Sequence, residues 1–452
     1  MTNTITRRLA LQLLGSAAAL PFIASATAAL AQEAAGRIIV LSDLHSAYER
    51  TAELLATLES EVASNPVPHL ILINGDVFEL GNVVAVRSAG IIDWAFLEAL
   101  SALAPTVLNI GNHEPDLDPD MANVIAQAQE IGITVVSNIT DTRTGDLYTN
   151  TTADLTLGDL PVRVVGIATD KLNTYPKATR EALTIPEPAV WATENLAGLL
   201  EGDALSVVLS HAGVVADRTI LPLLADGTLL IGGHDHLTFT HDEGKTRYVH
   251  TGSWSSTYTI VAVAADKSMS VAQSRVADDA AANAELAALI RDTLAEHLTE
   301  EELAAIGTSP TAMTLGQTGR FVAESMAKAG EGDIGFIGHT TLGNGLPQGD
   351  VSKYAFDSIV RFDGKLVIAE VDAATLAEIL AVVNQDDAQT LEQRTGDFLY
   401  AAPTGLPTKD VYRLVTNDWS ATNQKSYFGR EDLVFTPGPE VGIKALVVAA
   451  LK

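Results

Sequence analysis

Asn109-Ile110-Gly111-Asn112-His113-Glu114-Pro115-Asp116 closes an apolar run, Thr106-Val107-Leu108. The run reads as a short buried strand, and Gly111 as the turn that ends it. Asn112 offers a neutral oxygen, His113 a nitrogen base that also carries charge, and Asp116 a carboxylate placed to orient that imidazole. Gly-Asn turns are common, so the octet takes its meaning from its company. Ile38 to Ser42 runs into Asp43-Leu44-His45, Leu70 to Asn74 into Gly75-Asp76, and Val207 to Ser210 into His211. Leu229-Leu230-Ile231 runs into Gly232-Gly233-His234-Asp235-His236. Apolar residues at helical spacing fill Glu49 to Ser64 and Ile91 to Leu103 between the early runs. Near-continuous apolar strands alternating with helices predict an α/β fold with a buried, largely parallel sheet under helices. Ligands at the carboxyl ends of such strands converge on one crevice.

Asp43, His45, Asp76, Asn112, His211, His234 and His236 make a set of four imidazoles, two carboxylates and one amide. A histidine alone at a strand end is usually a hydrogen-bonded surface residue; seven donors at strand ends together point to metal. Mixed nitrogen and oxygen donors suit Mn, Zn or Fe better than Ca. Seven donors exceed what one tetrahedral ion uses, so the economical reading is two divalent ions, roughly 3.5–4 Å apart, sharing a carboxylate. Such a pair lowers the pKa of a bridging water and clamps the oxygens of an in-line phosphoryl displacement.

Composition narrows the field further. There is no cysteine among the 452 residues, which excludes disulfides, thiolate catalysis and thiolate metal sites. A net charge of −29 argues against a nucleic acid polymer or an anionic membrane as partner. An anionic substrate would need bound cations to overcome that field.

Asp43-x-His45, Gly75-Asp76, Gly111-Asn112-His113-Glu114, His211 and Gly233-His234-x-His236 resemble, in order, the calcineurin-like metallophosphoesterase signature. The chain beyond residue 305 is similar, more loosely, to the substrate domain of the secreted 5′-nucleotidase family. The resemblance implies a metallophosphoesterase β-sandwich covered by helices, joined by a helix to a smaller α/β C-terminal domain. It implies Asp43, His45, Asp76 and His236 on one ion, and Asp76, Asn112, His211 and His234 on the other, with Asp76 bridging. His113 and Asp116 match the family's His–Asp dyad, in which the histidine stabilises charge on the phosphoryl group in flight. Pro115 stands where relatives usually carry Phe, and proline fixes its own φ and restricts Glu114.

The C-terminal motifs depart more. Phe398, after Thr395-Gly396-Asp397, and Trp419, in Thr416-Asn417-Asp418-Trp419-Ser420, match the family's two base-stacking aromatics. The family's Gly-Gly-Asp-Gly-Tyr is here Asn423-Gln424-Lys425-Ser426-Tyr427, so Lys425 replaces the acid that meets ribose hydroxyls. The arginine usual after a Gly-rich turn is missing from Gly338-His339-Thr340-Thr341-Leu342-Gly343, with Arg361 and Lys425 as possible substitutes. The expected substrate is a small phosphorylated molecule, a nucleotide if Phe398 and Trp419 form a clamp, with weak discrimination between ribose and deoxyribose. The expected activity is 5′-nucleotidase-like phosphomonoester hydrolysis. Alternatives are hydrolysis of cyclic nucleotides, sugar-nucleotide pyrophosphates or sulfur esters, or ligand binding without catalysis.

At the front of the chain, Arg7-Arg8 precede an apolar stretch from Leu9 to Leu30 and a small-x-small site, Ala29-Leu30-Ala31. Residues 1–31 resemble a twin-arginine signal peptide, which makes the export machinery a partner and the destination periplasmic or secreted, with no membrane span after processing. The metallophosphoesterase domain is expected over 36–275, a connecting helix over 276–304 and the substrate domain over 305–452. Further strands are expected at Val162 to Ile167 and Tyr248 to Trp254, and near Ile334, Ile359, Leu366 and Leu414. A helix is expected at Thr318 to Lys328. His69, His297 and His339 read as ordinary histidines, and His241 and His250 as neighbours of the last ligands.

Overall fold

The computed structural model describes residues 34–386 and 389–452; the signal-like segment 1–31 lies outside the described residues. Two six-stranded sheets face each other. Edge to edge, the first runs Met269–Arg275, Thr257–Ala264, Ala34–Leu41, His69–Asn74, Thr106–Asn109 and Thr134–Val136. Its last four strands are parallel, and Thr257–Ala264 joins Ala34–Leu41 antiparallel. The second runs Thr238–Glu243, Thr246–Thr251, Leu229–Gly232, Leu205–Ser210, Leu160–Ile167 and Thr152–Leu157, with antiparallel pairs only at its two edges.

Why the strands read as unbroken apolar runs is now plain. Side chains alternate faces along a strand. Ile38, Val40, Leu70 and Leu72 point into the core between the sheets, against Val207, Leu209, Leu229 and Ile231. Ile39, Leu41, Ile71 and Ile73 point the other way, into a core shared with helices Tyr48–Ser64 and Ile91–Leu103. Both faces are buried, so neither alternation nor polarity marks them. The pattern predicts parallel strands correctly, but it does not announce that they divide into two sheets.

The expected connecting segment contains a helix, Ala284–His297, capped by Asn283, whose side chain accepts from Leu286 N–H. Leu286 and Ile290 bury against the first sheet's helical layer. The C-terminal sheet runs Leu399–Ala402, Ile334–Gly338, Val411–Asn417, Lys365–Asp372 and Thr436–Gly442. Helix Leu315–Ala329 covers the region expected at Thr318 to Lys328. The strand expected near Ile359 is instead the end of a helix, Lys353–Ile359. Ser352 accepts from Ala355 N–H and starts it, and Phe356 and Ile359, three apart, bury one face. Val208 and Leu230 of the second sheet share one apolar cluster with Ile337, Phe398 and Tyr400, so the C-terminal unit continues the core beneath the site. No helix among the described residues is long and apolar enough to cross a membrane.

Candidate metal centre

Every expected ligand follows the carboxyl end of a strand, and the parallel strands carry them all to one edge of the sandwich. Asp43, His45, Asp76, Asn112 and His211 are buried, and His234 and His236 nearly so. Asp43, His45 and His236 offer atoms within 4.8 Å of one another, and so do Asp76, His211 and His234. These two groups are the two ion sets implied by the resemblance, less the shared Asp76 in the first and Asn112 in the second. Asn112 joins the second group, its Oδ1 lying 2.8 Å from His234 Nδ1. Asp76 Oδ2 lies 3.0 Å from His211 Nε2 and 3.9 Å from His45 Nε2, between the groups.

The donor atoms are poised for a cation. His211 Nδ1 bonds the Asn74 carbonyl at 2.6 Å, which orients the ring and aims its buried Nε2 at Asp76 Oδ2, 3.0 Å away. His45 Nδ1 faces Glu79 Oε2 at 3.4 Å, while its Nε2 meets His236 Nε2 at 2.8 Å. Two ring nitrogens at that distance share either one N–H, one donating and the other accepting, or a cation. Burial drives His45 and His234 well below their ordinary pKa and His236 down to about 3, the direction a neutral ligand requires, whereas at His211 burial is outweighed by Asp76, which pushes it up to about 10. These residues fit a divalent metal site.

The backbone is distorted to aim them. Asp43, His45, Asp76, His234 and His236 have φ of 51°, 51°, 57°, 76° and 56°. Non-glycine residues seldom hold that left-handed conformation, which costs of order 1 kcal/mol or more each unless the surroundings enforce it. Asp43 N–H bonds Gly75 C=O, His45 N–H bonds Asp76 C=O, and Asp43 C=O accepts from Trp254 N–H. Gly75, at φ 79°, leaves no room for a Cβ, which would fall 2.6 Å from Gly111 N and 2.7 Å from His211 Nδ1.

His113 stands beside the cluster, its ring centroid 4.8 Å from that of His45. Its Nδ1 pairs with Asp116 Oδ2 at 2.8 Å, and its N–H donates to Asp76 Oδ1 at 2.8 Å. Burial disfavours a charged imidazole here, but Asp116 and Asp76 outweigh it and push His113 up to about 10. Pro115 does not spoil the dyad: Glu114–Asp116 forms a 3-10 turn with Asp116 N–H on His113 C=O.

Glu114 has a role that its sequence motif alone does not assign. Its carboxylate accepts from the N–H groups of Asp76, Val77 and Gly111, tying two ligand loops together. Glu114→Ala would leave three buried donors unpaired, and we expect a stability loss of at least about 3 kcal/mol in urea unfolding. A loss under about 1 kcal/mol would show that water replaces it. Its signal in the sequence is its place in Gly-Asn-His-Glu.

The remaining residues separate clearly. Lys425 is exposed near Glu431, whereas Arg361 is buried, its guanidinium 4.4 Å from the Trp254 ring centroid and paired with Glu79. His250 is buried with Tyr248 and Asp217 behind the ligand strands, and His241 lies beside Glu243 on an edge strand. His339, expected to be ordinary, reaches the centre from the C-terminal unit: its ring centroid lies 6.3 Å from that of His236. Trp419 is 47% exposed, but Phe398 is only 3% exposed.

Residues 36–237 match the family model described as calcineurin-like phosphoesterase. That match, with the His/Asp clusters, supports a metal-dependent hydrolase. A comparison with curated proteins finds no match. Among solved structures, a 5′-nucleotidase precursor from Thermus thermophilus aligns at TM-score 0.59 and 17% identity, over 92% of this chain and 96% of that one. A 5′-nucleotidase from Candida albicans aligns at 0.59 and 14%, over 92% and 97%. A sulfate thiohydrolase, SoxB, from Thermus thermophilus aligns at 0.63 and 14%, over 92% and 94%. At these identities the likeness is one of fold: a phosphoesterase sandwich with a smaller C-terminal α/β unit.

Proposed function

We propose that this chain is a two-metal phosphomonoesterase, 5′-nucleotidase-like in architecture and exported to the periplasm or beyond. The observation that carries the reading is the meeting of two His/Asp groups, Asp43–His45–His236 and Asp76–His211–His234, among the four that the described residues form, with the His113–Asp116 pair beside them. Asp43, His45, Asp76 and His236 would hold one ion, and Asp76, Asn112, His211 and His234 the other. Bound divalent cations supply Lewis-acid polarisation of the ester and neutralise developing charge. His113, held charged and oriented by Asp116, donates to the phosphoryl oxygens as charge builds on them. Asp76 fixes His113 through its backbone N–H while facing both ligand groups, which couples the dyad's position to the metal site.

Stripping the protein with a chelator is expected to abolish p-nitrophenyl phosphate hydrolysis, with Mn, Zn or Fe restoring it. Full recovery should require two ions per chain; full recovery at one would overturn the dinuclear reading. The SoxB-like fold makes sulfur esters the competing substrate, and a panel holding both ester types decides between them. Export rests on the sequence of residues 1–31, and N-terminal sequencing of the mature protein tests it.

A further inference from the structure

We propose that His339 sets the substrate class of this centre by occupying the ring face of Phe398, so that the enzyme selects small phosphate esters without a flat leaving group. The proposal rests on the phosphomonoesterase reading of the site. The imidazole of His339 lies parallel to the phenyl ring of Phe398, centroids 4.2 Å apart and planes 5° from coincidence. Tyr400 closes an edge at 5.1 Å, which is why Phe398 keeps only 3% of its surface. A planar ring seeking that face would have to take the place of His339.

His339 is built in, not resting there. Its Nδ1 lies 2.8 Å from Asp397 Oδ1, and its Nε2 lies 2.8 Å from the carbonyl of Asp235, between two expected metal ligands. Its backbone N–H donates to Phe398 C=O. Asp397 also accepts from the hydroxyls of Thr340 and Tyr427, and Trp419 Nε1 donates to Tyr427 Oη at 3.3 Å. The path from Phe398 to Trp419 therefore runs through His339, Asp397 and Tyr427, each bonded to the next. Gly396, at φ 87°, sits against the Asp235 carboxylate, where an added Cβ would lie a tight 3.2 Å from it. Stacking is the grip that holds a nucleobase regardless of its identity. Here a side chain of the protein has taken it. His339 is itself only 3% exposed, so neither ring of the stack offers a face to a leaving group.

The test compares kcat/KM for AMP and glycerol 2-phosphate on wild type, His339→Ala and His339→Phe. Wild type should turn over AMP no better than glycerol 2-phosphate. His339→Ala should raise the AMP-to-glycerol-phosphate ratio by roughly fivefold or more, through KM for AMP, the low end of what one base stack contributes. His339→Phe keeps a ring over Phe398 and should keep the wild-type ratio. A wild-type preference for AMP of tenfold or more, or an unchanged ratio in His339→Ala, overturns the proposal. Calorimetric titration of adenosine, which has no phosphate, reads the same surface without turnover. Millimolar adenosine should not bind metal-loaded wild type, and sub-millimolar binding there overturns the proposal even if His339→Ala fails to fold. If wild type hydrolyses no phosphate ester, the functional reading fails, and the adenosine titration still decides whether the ring face is closed.

Discussion

Asp76→Asn is expected to reduce kcat/KM for a phosphomonoester by at least about 10³-fold and to leave fewer than two ions per chain. Asn is the same shape, so it can still accept the His113 N–H that Asp76 Oδ1 receives at 2.8 Å. What it loses is the negative charge facing His211 Nε2 at 3.0 Å and His45 Nε2 at 3.9 Å. Burial alone opposes ionisation of Asp76, yet the charges of His211 and His113 hold its pKa well below the usual carboxylate range. A site that keeps that carboxylate ionised in the interior is made for a cation. Elemental analysis of dialysed protein and steady-state kinetics check the two halves of the prediction separately. Two retained ions with activity within tenfold of wild type would show that Asp76 is not the shared ligand.

His113→Ala is expected to lower kcat by about 10²–10³-fold while KM moves by less than about threefold. His113 belongs to neither proposed ion set, so the variant should keep its metal. The loss should fall on kcat because the imidazolium meets a charge that grows between ground state and transition state. Asp116→Asn should give a smaller loss of the same kind, since Asp116 orients Nδ1 and also accepts from Leu80 N–H at 2.6 Å. A variant altered only in KM would make His113 a binding group instead.

How much of the site is legible in the sequence depends on where each piece of information resides. The seven candidate donors can be picked out because each interrupts or ends an apolar run, and parallel pairing sends all those ends to one edge. Ile359 misleads because its run, Ser358-Ile359-Val360, is too short to show a period; the Ser352 cap decides it. Phe398 and His339 show a deeper limit. Phe398 occupies the right place in a motif, but its exposure depends on a ring 59 positions away in sequence. No local pattern carries that. His339 nevertheless has the ligands' own signature, a polar ring closing the apolar strand Ile334–Gly338.

The order of strands also bears on how the protein comes into being. Ala34–Leu41, the first described strand, sits inside its sheet, between His69–Asn74 and Thr257–Ala264. One flank of the earliest strand therefore stays unpaired until the ribosome has passed residue 264. Asp43 and His45 wait nearly as long for His236. Pairings so distant along the chain form slowly, because loop closure precedes any reward from contact. A nascent chain stopped before residue 234 completes neither proposed ligand set, so the proposed centre can form only once most of the catalytic domain has been made.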